Sequence, residues 1–372
     1  MNRVMFGTAA LAWLFVLCIG SPAGAWDRGD VVNFATIPAF TPSGLGAACP
    51  NGATACTSGI EGVTVGPDGT VYTASAGFNS DGALSGYSEL FVFARDGRLV
   101  EHFPIVGSSP HLLGLAFQRS SGNLLICDLG MGVVWKVDLG SHKSTVFMQA
   151  PNVTTFPGLN ALTFDKAGSV YVSDSFQGAI WKTGPGGGIP TAWYAPFNSG
   201  QNNLLLPTPN TGQLLVPPFG ANGVEFNNEG TILFVMNTAY HSIVEIPVDA
   251  FGNPGTANTF VTGINAPDGL AVDRDDNLWV VANQEDEIVV VDPTGKVIAK
   301  RGDFNGLTHN GSIKGFLFPA SLAFSPNGKT LYVSNFALNL PFAGVPEIAV
   351  DSAWTLKVKH YNIAKIRVND RD

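Results

Sequence analysis

Glu61, Asn160, Asn222 and Asp268 are the residues whose types and spacing could do chemistry together. Each stands at the head of a short apolar pattern that recurs along the chain: Glu61-Gly-Val-Thr-Val, Asn160-Ala-Leu-Thr-Phe, Asn222-Gly-Val-Glu-Phe and Asp268-Gly-Leu-Ala-Val. Two further copies, Leu113-Gly-Leu-Ala-Phe and Ala320-Ser-Leu-Ala-Phe, carry an apolar residue at that place. Two carboxylates and two amides are hard oxygen donors with two negative charges. That donor set suits Ca²⁺, which takes six to eight oxygens at roughly 2.3–2.6 Å, or another divalent ion. The bland alternative is that polar residues open strands and bond only to nearby backbone or to channel water. The metal reading requires an architecture that brings equivalent positions to one axis.

The elements around these residues supply one. Each copy continues through a turn into a second strand, ending in Val71-Tyr-Thr, Leu125-Ile-Cys, Val170-Tyr-Val, Leu233-Phe-Val, Leu278-Trp-Val and Leu331-Tyr-Val. The turns hold Asp68-Gly69, Gly122-Asn123, Ala167-Gly168, Glu229-Gly230, Asp276-Asn277 and Asn327-Gly328, residues that accept positive φ. A third strand follows in most copies. Copies begin at 61, 113, 160, 222, 268 and 320, so the spacings are 52, 47, 62, 46 and 52 residues. Such periods suit four-stranded blades rather than helical solenoids. The expected fold is all-β: a six-bladed β-propeller whose inner strands line a central channel, forming one domain over residues 26–372. Residues 31–37 are expected to add the outer strand of the last blade and close the ring. The stretches 184–219 and 336–357 are expected to decorate one face, and loops 76–88, 184–219, 303–318 and 336–357 to carry selectivity.

On these residues the chain resembles the SMP-30/gluconolactonase/paraoxonase superfamily of calcium-dependent six-bladed propellers. The resemblance runs from about 59 to 335. It places Glu61 of Gly59-Ile-Glu-Gly-Val, Asn160 of Gly158-Leu-Asn-Ala-Leu, Asn222 of Ala221-Asn-Gly-Val and Asp268 of Pro267-Asp-Gly-Leu in the family's metal-ligand positions. It implies hydrolysis of a small lactone or ester, with the cation polarising the carbonyl. His111, two residues before the aligned position of the second blade, is a candidate catalytic base; its alternative is a loop histidine with no role. Asp268 is a candidate ligand and also a candidate base or nucleophile. The rival function is a non-catalytic propeller of NHL or strictosidine-synthase-like type, binding a protein or small ligand on its loop face.

The second strands run back toward the face where the first began. Ser75, Asp128, Asp174, Asn237, Asn283 and Asn335 at their ends are therefore expected to rim the same pocket, either orienting ligands or stabilising turns. His241 and His309 are expected to be exposed loop residues. No Gly-x-Ser-x-Gly elbow, zinc spacing or Walker loop occurs.

The N-terminus reads as a cleavable leader: Arg3, an apolar run over 4–20, then Ala23-Gly24-Ala25. A secreted or periplasmic protein starting near Trp26 is expected, with no membrane span. Without residues 1–25 the formal charge is 19 minus 29, or -10, and sparse Lys and Arg argue against nucleic acid. Cys49 and Cys56 flank a Gly/Ala/Pro-rich loop and could close a disulfide, an alternative the sequence leaves open; Cys127 is expected to be a small core residue.

Overall fold

Six four-stranded antiparallel sheets account for the repeated pattern. The computed structural model describes residues 28–118, 121–207, 219–339 and 352–368; the expected leader lies outside the described residues, as do 208–218 and 340–351 of the two long loops. The inner strands are Ile60–Val65, Leu112–Phe117, Leu159–Phe164, Ala221–Phe226, Pro267–Val272 and Pro319–Phe324. Every turn between first and second strands contains a residue with positive φ, Gly in five blades and Asp276 in the fifth, as its Asp/Asn/Gly content required.

The strands are short and apolar because each blade is covered on both faces by its neighbours. Leu90, Val92, Leu112, Leu124, Ile126 and Trp135 form the layer between the first and second blades. Trp279, Val281, Leu331, Val333 and Ile366 form the one between the fifth and sixth. Each such side chain contributes roughly 1.5–3 kcal/mol on burial. Val31–Thr36 pairs antiparallel with Asn362–Arg367 and completes the last blade, so the two ends of the chain close one ring. The expected loop 184–219 is in part strand, since Thr191–Tyr194 is the outer strand of the third blade. Cys49 and Cys56 are disulfide-bonded, 5.8 Å apart at Cα. Cys127 is fully buried, and burial pushes its thiol pKa well up.

One irregularity recurs in every blade. Ile60 faces Ser75 but Val63 faces Thr73, so three steps on the inner strand answer two on its partner. The same one-residue β-bulge lies at the corresponding place in the other five inner strands. Glu61, Leu113, Asn160, Asn222, Asp268 and Ala320 all sit inside it. A bulge releases the side chain from the alternation of the sheet and re-aims it, here at the ring's inner edge rather than between blades.

The residue after each of these positions is small because the next blade's inner strand passes against it. A Cβ on Gly62 would stand 2.4 Å from Leu113 O, and one on Gly223 would stand 2.2 Å from Asp268 O. Both obstacles are backbone and cannot rotate away. Gly223→Ala is therefore expected to destabilise the fold by about 1–3 kcal/mol or more, seen as a lower midpoint in urea. An unchanged midpoint would show that the fourth and fifth blades separate freely.

Candidate metal and substrate site

The bulges place Glu61, Asn160, Asn222 and Asp268 at one level of the ring, in the first, third, fourth and fifth blades. All four are buried, with 5%, 2%, 2% and 6% of their surface exposed. One oxygen of each, Glu61 Oε2, Asn160 Oδ1, Asn222 Oδ1 and Asp268 Oδ1, is sequestered from solvent without any hydrogen-bond partner. A single unpartnered buried oxygen costs about 1–3 kcal/mol. Four at equivalent positions of four blades point to a common partner, and because every one of the four is an acceptor that partner is a cation or a hydrogen-bond donor.

The other ends of three of these side chains are tied down. Asn160 Nδ2 donates to Ser175 Oγ (3.2 Å), Asn222 Nδ2 to Thr238 Oγ1 (2.8 Å), and Asn283 Nδ2 donates to Asp268 Oδ2 (2.8 Å). With each amide nitrogen held by a hydroxyl, each amide oxygen is left facing the open side. The same three supporting residues stitch blade to blade. Ser175 Oγ donates to Ala221 O, Thr238 Oγ1 to Pro267 O and Asn283 Nδ2 to Pro319 O, at 2.7, 2.7 and 2.6 Å. Ligand orientation and the joining of neighbouring blades thus use the same three residues. Removing Asn283 frees the Asp268 carboxylate, so Asn283→Ala is expected to weaken divalent-cation binding about 10–100-fold, measured by calorimetry. Unchanged affinity would show that Asp268 is held by other means.

Electrostatics fit the same picture. Burial pushes Glu61 well above the ordinary carboxylate range, and the charge of Asp268 pushes it further. Burial raises Asp268 to about 7, while the neighbouring amides of Asn283 and Asn222 pull it down. Two buried carboxyl groups resist being ionised together unless a cation joins them. Among the described residues no three His, Cys, Asp or Glu side chains gather to hold a metal, so a cation here would rest on the amides as well as the acids. The donors fit a hard, oxygen-seeking divalent ion.

His111 is not part of this oxygen ring. It lies two residues before Leu113, on the rim between the first and second blades; its Nδ1 is 3.1 Å from Ala76 O, and its ring stacks on Phe78 at 4.9 Å. A carbonyl only accepts, so Nδ1 carries a proton, which in the neutral ring leaves the lone pair on Nε2.

The expected rim of second-strand ends divides into two registers. Ser75, Asp128, Asp174, Asn237 and Asn335 pair directly across from the residue before the bulge, and they hold loops. Asp128, for example, accepts from Ser109 N, Met131 N and Trp135 Nε1, and Asn335 accepts from Leu317 N. Asn283 lies one residue further on, after Ala282. Its true equivalents are Ala76, Leu129, Ser175, Thr238 and Phe336. Ser175 and Thr238 were not anticipated; the signal was the residue just past each second strand. His241 departs from expectation too: it is half-buried, its Nδ1 accepts from Ala266 N at 3.0 Å beside the strand of Asp268, and burial lowers its pKa.

Residues 104–301 match the family model described as SMP-30/Gluconolactonase/LRE-like region. This chain belongs to that family. The match includes Asn160, Asn222 and Asp268, while Glu61 lies before it. Among curated relatives, lactonase drp35 of Staphylococcus aureus (strain bovine RF122 / ET3-1) is 25% identical over 192 residues, 49% of this chain and 54% of that protein. The chain spans about half or less of the length of the curated relatives it matches. Two solved structures share the fold. The calcium-binding protein regucalcin from Agrobacterium tumefaciens is 20% identical with a TM-score of 0.58, covering 83% of this chain and 90% of that one. A gluconolactonase from Xanthomonas campestris is 14% identical with a TM-score of 0.56, covering 83% and 95%. Among the described residues no helix is long and apolar enough to cross a membrane.

Proposed function

We propose that this protein is an exported, calcium-dependent hydrolase of lactones or esters. The observation that carries the proposal is the set of four buried, unpartnered oxygens on Glu61, Asn160, Asn222 and Asp268, in a family whose members include a lactonase and a gluconolactonase.

These four residues would hold the cation. When bound, Ca²⁺ supplies the positive charge that polarises a carbonyl and favours the developing oxyanion. The protein's own part is preorganisation. Ser175, Thr238 and Asn283 fix the donor oxygens of Asn160, Asn222 and Asp268 before any ligand arrives, so little rotamer freedom is lost at the reacting centre. Glu61 and Asp268 must both be ionised to serve, so below their raised metal-free pKa values the cation has to displace protons as it binds. His111, with Nδ1–H turned to Ala76 O, offers Nε2 as the atom that takes a proton from water. Asp268 serves as ligand rather than base, since a cation-bound carboxylate is a poor proton acceptor.

Export rests on the apolar run closed by Ala23-Gly24-Ala25 and on the Cys49–Cys56 bond, which persists in oxidising compartments. The test is hydrolysis by residues 26–372 across a panel of lactones and aryl esters, with added calcium and with excess chelator. Turnover that chelation abolishes and calcium restores is expected, and His111→Gln should lower kcat about 100-fold. Metal-independent turnover, or none, would contradict the proposal.

A further inference from the structure

The ring that carries the four oxygens is chemically divided in two. At the level of the bulges the third, fourth and fifth blades present Asn160, Asn222 and Asp268, whereas the sixth and second present Ala320 and Leu113. The positions just past the second strands repeat the division. Ser175, Thr238 and Asn283 are polar and hydrogen-bonded to the donors, while Phe336, Ala76 and Leu129 in the sixth, first and second blades are apolar. The same five apolar residues, with Phe318, Leu338 and Phe78, pack as one cluster separate from the layers between blades. Phe318 takes the position two residues before Ala320, as His111 does before Leu113, and its ring meets Phe336 edge-on at 6.2 Å. Glu61 is the one polar residue of the oxygen ring on this side.

We propose that this apolar half-ring selects the substrate. The leaving or acyl portion lies against Leu113, Phe318 and Phe336, so the protein acts on lactones or esters bearing an alkyl or aryl substituent rather than on polyhydroxylated sugar lactones. This rests on the hydrolase reading above. Hydroxyl groups of a sugar lactone laid on this wall would lose water and meet no acceptor or donor in Phe, Leu or Ala, a loss apolar substituents do not suffer. An alkyl chain instead gains from each methylene buried. The polar half offers the hydroxyls little in exchange, because the Ser175 and Thr238 hydroxyls donate to backbone carbonyls, Asn283 Nδ2 donates to Asp268 and to Pro319 O, and the Asn160 and Asn222 amide nitrogens each donate to a hydroxyl.

The experiment compares kcat/KM for γ-decalactone and glucono-1,5-lactone in the calcium-loaded protein, beside calorimetric binding of their unreactive lactam counterparts. A preference of at least 100-fold for the alkyl lactone is expected, with the alkyl lactam the tighter ligand. Phe336→Ser should narrow that ratio at least 10-fold, and Phe78→Ser, on the more exposed rim, gives a second variant should the first fail to fold. Equal or better turnover of the sugar lactone would overturn the inference while leaving the hydrolase reading intact. Should neither lactone be hydrolysed, the hydrolase reading is left to the wider panel of lactones and esters and the lactams decide here: tighter binding of the alkyl lactam upholds the apolar site, and equal or reversed binding overturns it.

Discussion

Asp268→Asn is expected to weaken calcium binding about 1000-fold and, in the same protein, to raise the stability of the metal-free form. The two effects have one cause. Asp268 and Glu61 are buried carboxyl groups whose ionised forms are penalised first by desolvation and then, for Glu61, by the charge of Asp268. Without a cation that penalty is borne by the fold, and an amide of the same shape removes it, a gain of about 1–4 kcal/mol at pH 8. With a cation the same negative charge becomes its strongest partner. Outer residues that merely orient a ligand cost roughly 10–100-fold when lost, so loss of a charged donor must cost more. Thermal unfolding with calcium and with chelator reads both signs in one experiment. A variant destabilised in chelator would mean that Asp268 is a structural residue bonded to Asn283 and nothing more.

The stability of the metal-free protein is expected to fall as pH rises from about 4 to about 7. Asp268 titrates near 7 in the folded chain but near 4 when unfolded. Between those values the unfolded state has released a proton that the folded state retains. Stability then declines with pH, because fewer protons are bound in the unfolded state. Below pH 4 both states are protonated and the group contributes nothing; above 7 both are ionised and the loss is complete, of the order of 4 kcal/mol at about 1.4 kcal/mol per unit. Glu61, raised for the same reasons, adds to the slope. Saturating calcium should flatten it, since binding takes up the charge as it forms. Urea titrations at pH 5 and pH 8, with and without calcium, check this. A metal-free protein more stable at pH 8 than at pH 5 would contradict it.

Much of this architecture was legible in the residues. Blade number followed from six apolar pairs joined by Asp, Asn and Gly turns, and ring closure from the unattached strand at 31–36. The oxygen ring was legible because one position per blade could be compared around the circle. What escaped depends on contacts between blades. The bulge that re-aims Glu61 and its equivalents is imposed where a neighbouring inner strand passes Gly62 or Gly223, a constraint written some 50 residues away. Without the bulge the two strands of a hairpin cannot be aligned, so Asn283 was grouped with Asp128 and Asp174, which hold loops and tryptophans, and Ser175 and Thr238 were passed over. The outer strand Thr191–Tyr194 was hidden because Gly184, Gly186 and Pro190 surround it and mimic a loop. The His241 contact to Ala266 joins two blades and leaves no local signature.

The central claim is that four orphaned oxygens await one cation, and calorimetric titration of Ca²⁺ into chelator-treated protein tests it most directly. Binding of one ion per chain, accompanied by release of more protons at pH 6 than at pH 8 and abolished by Glu61→Gln, is the predicted result. No heat of binding, or binding that survives Glu61→Gln unchanged, would contradict it.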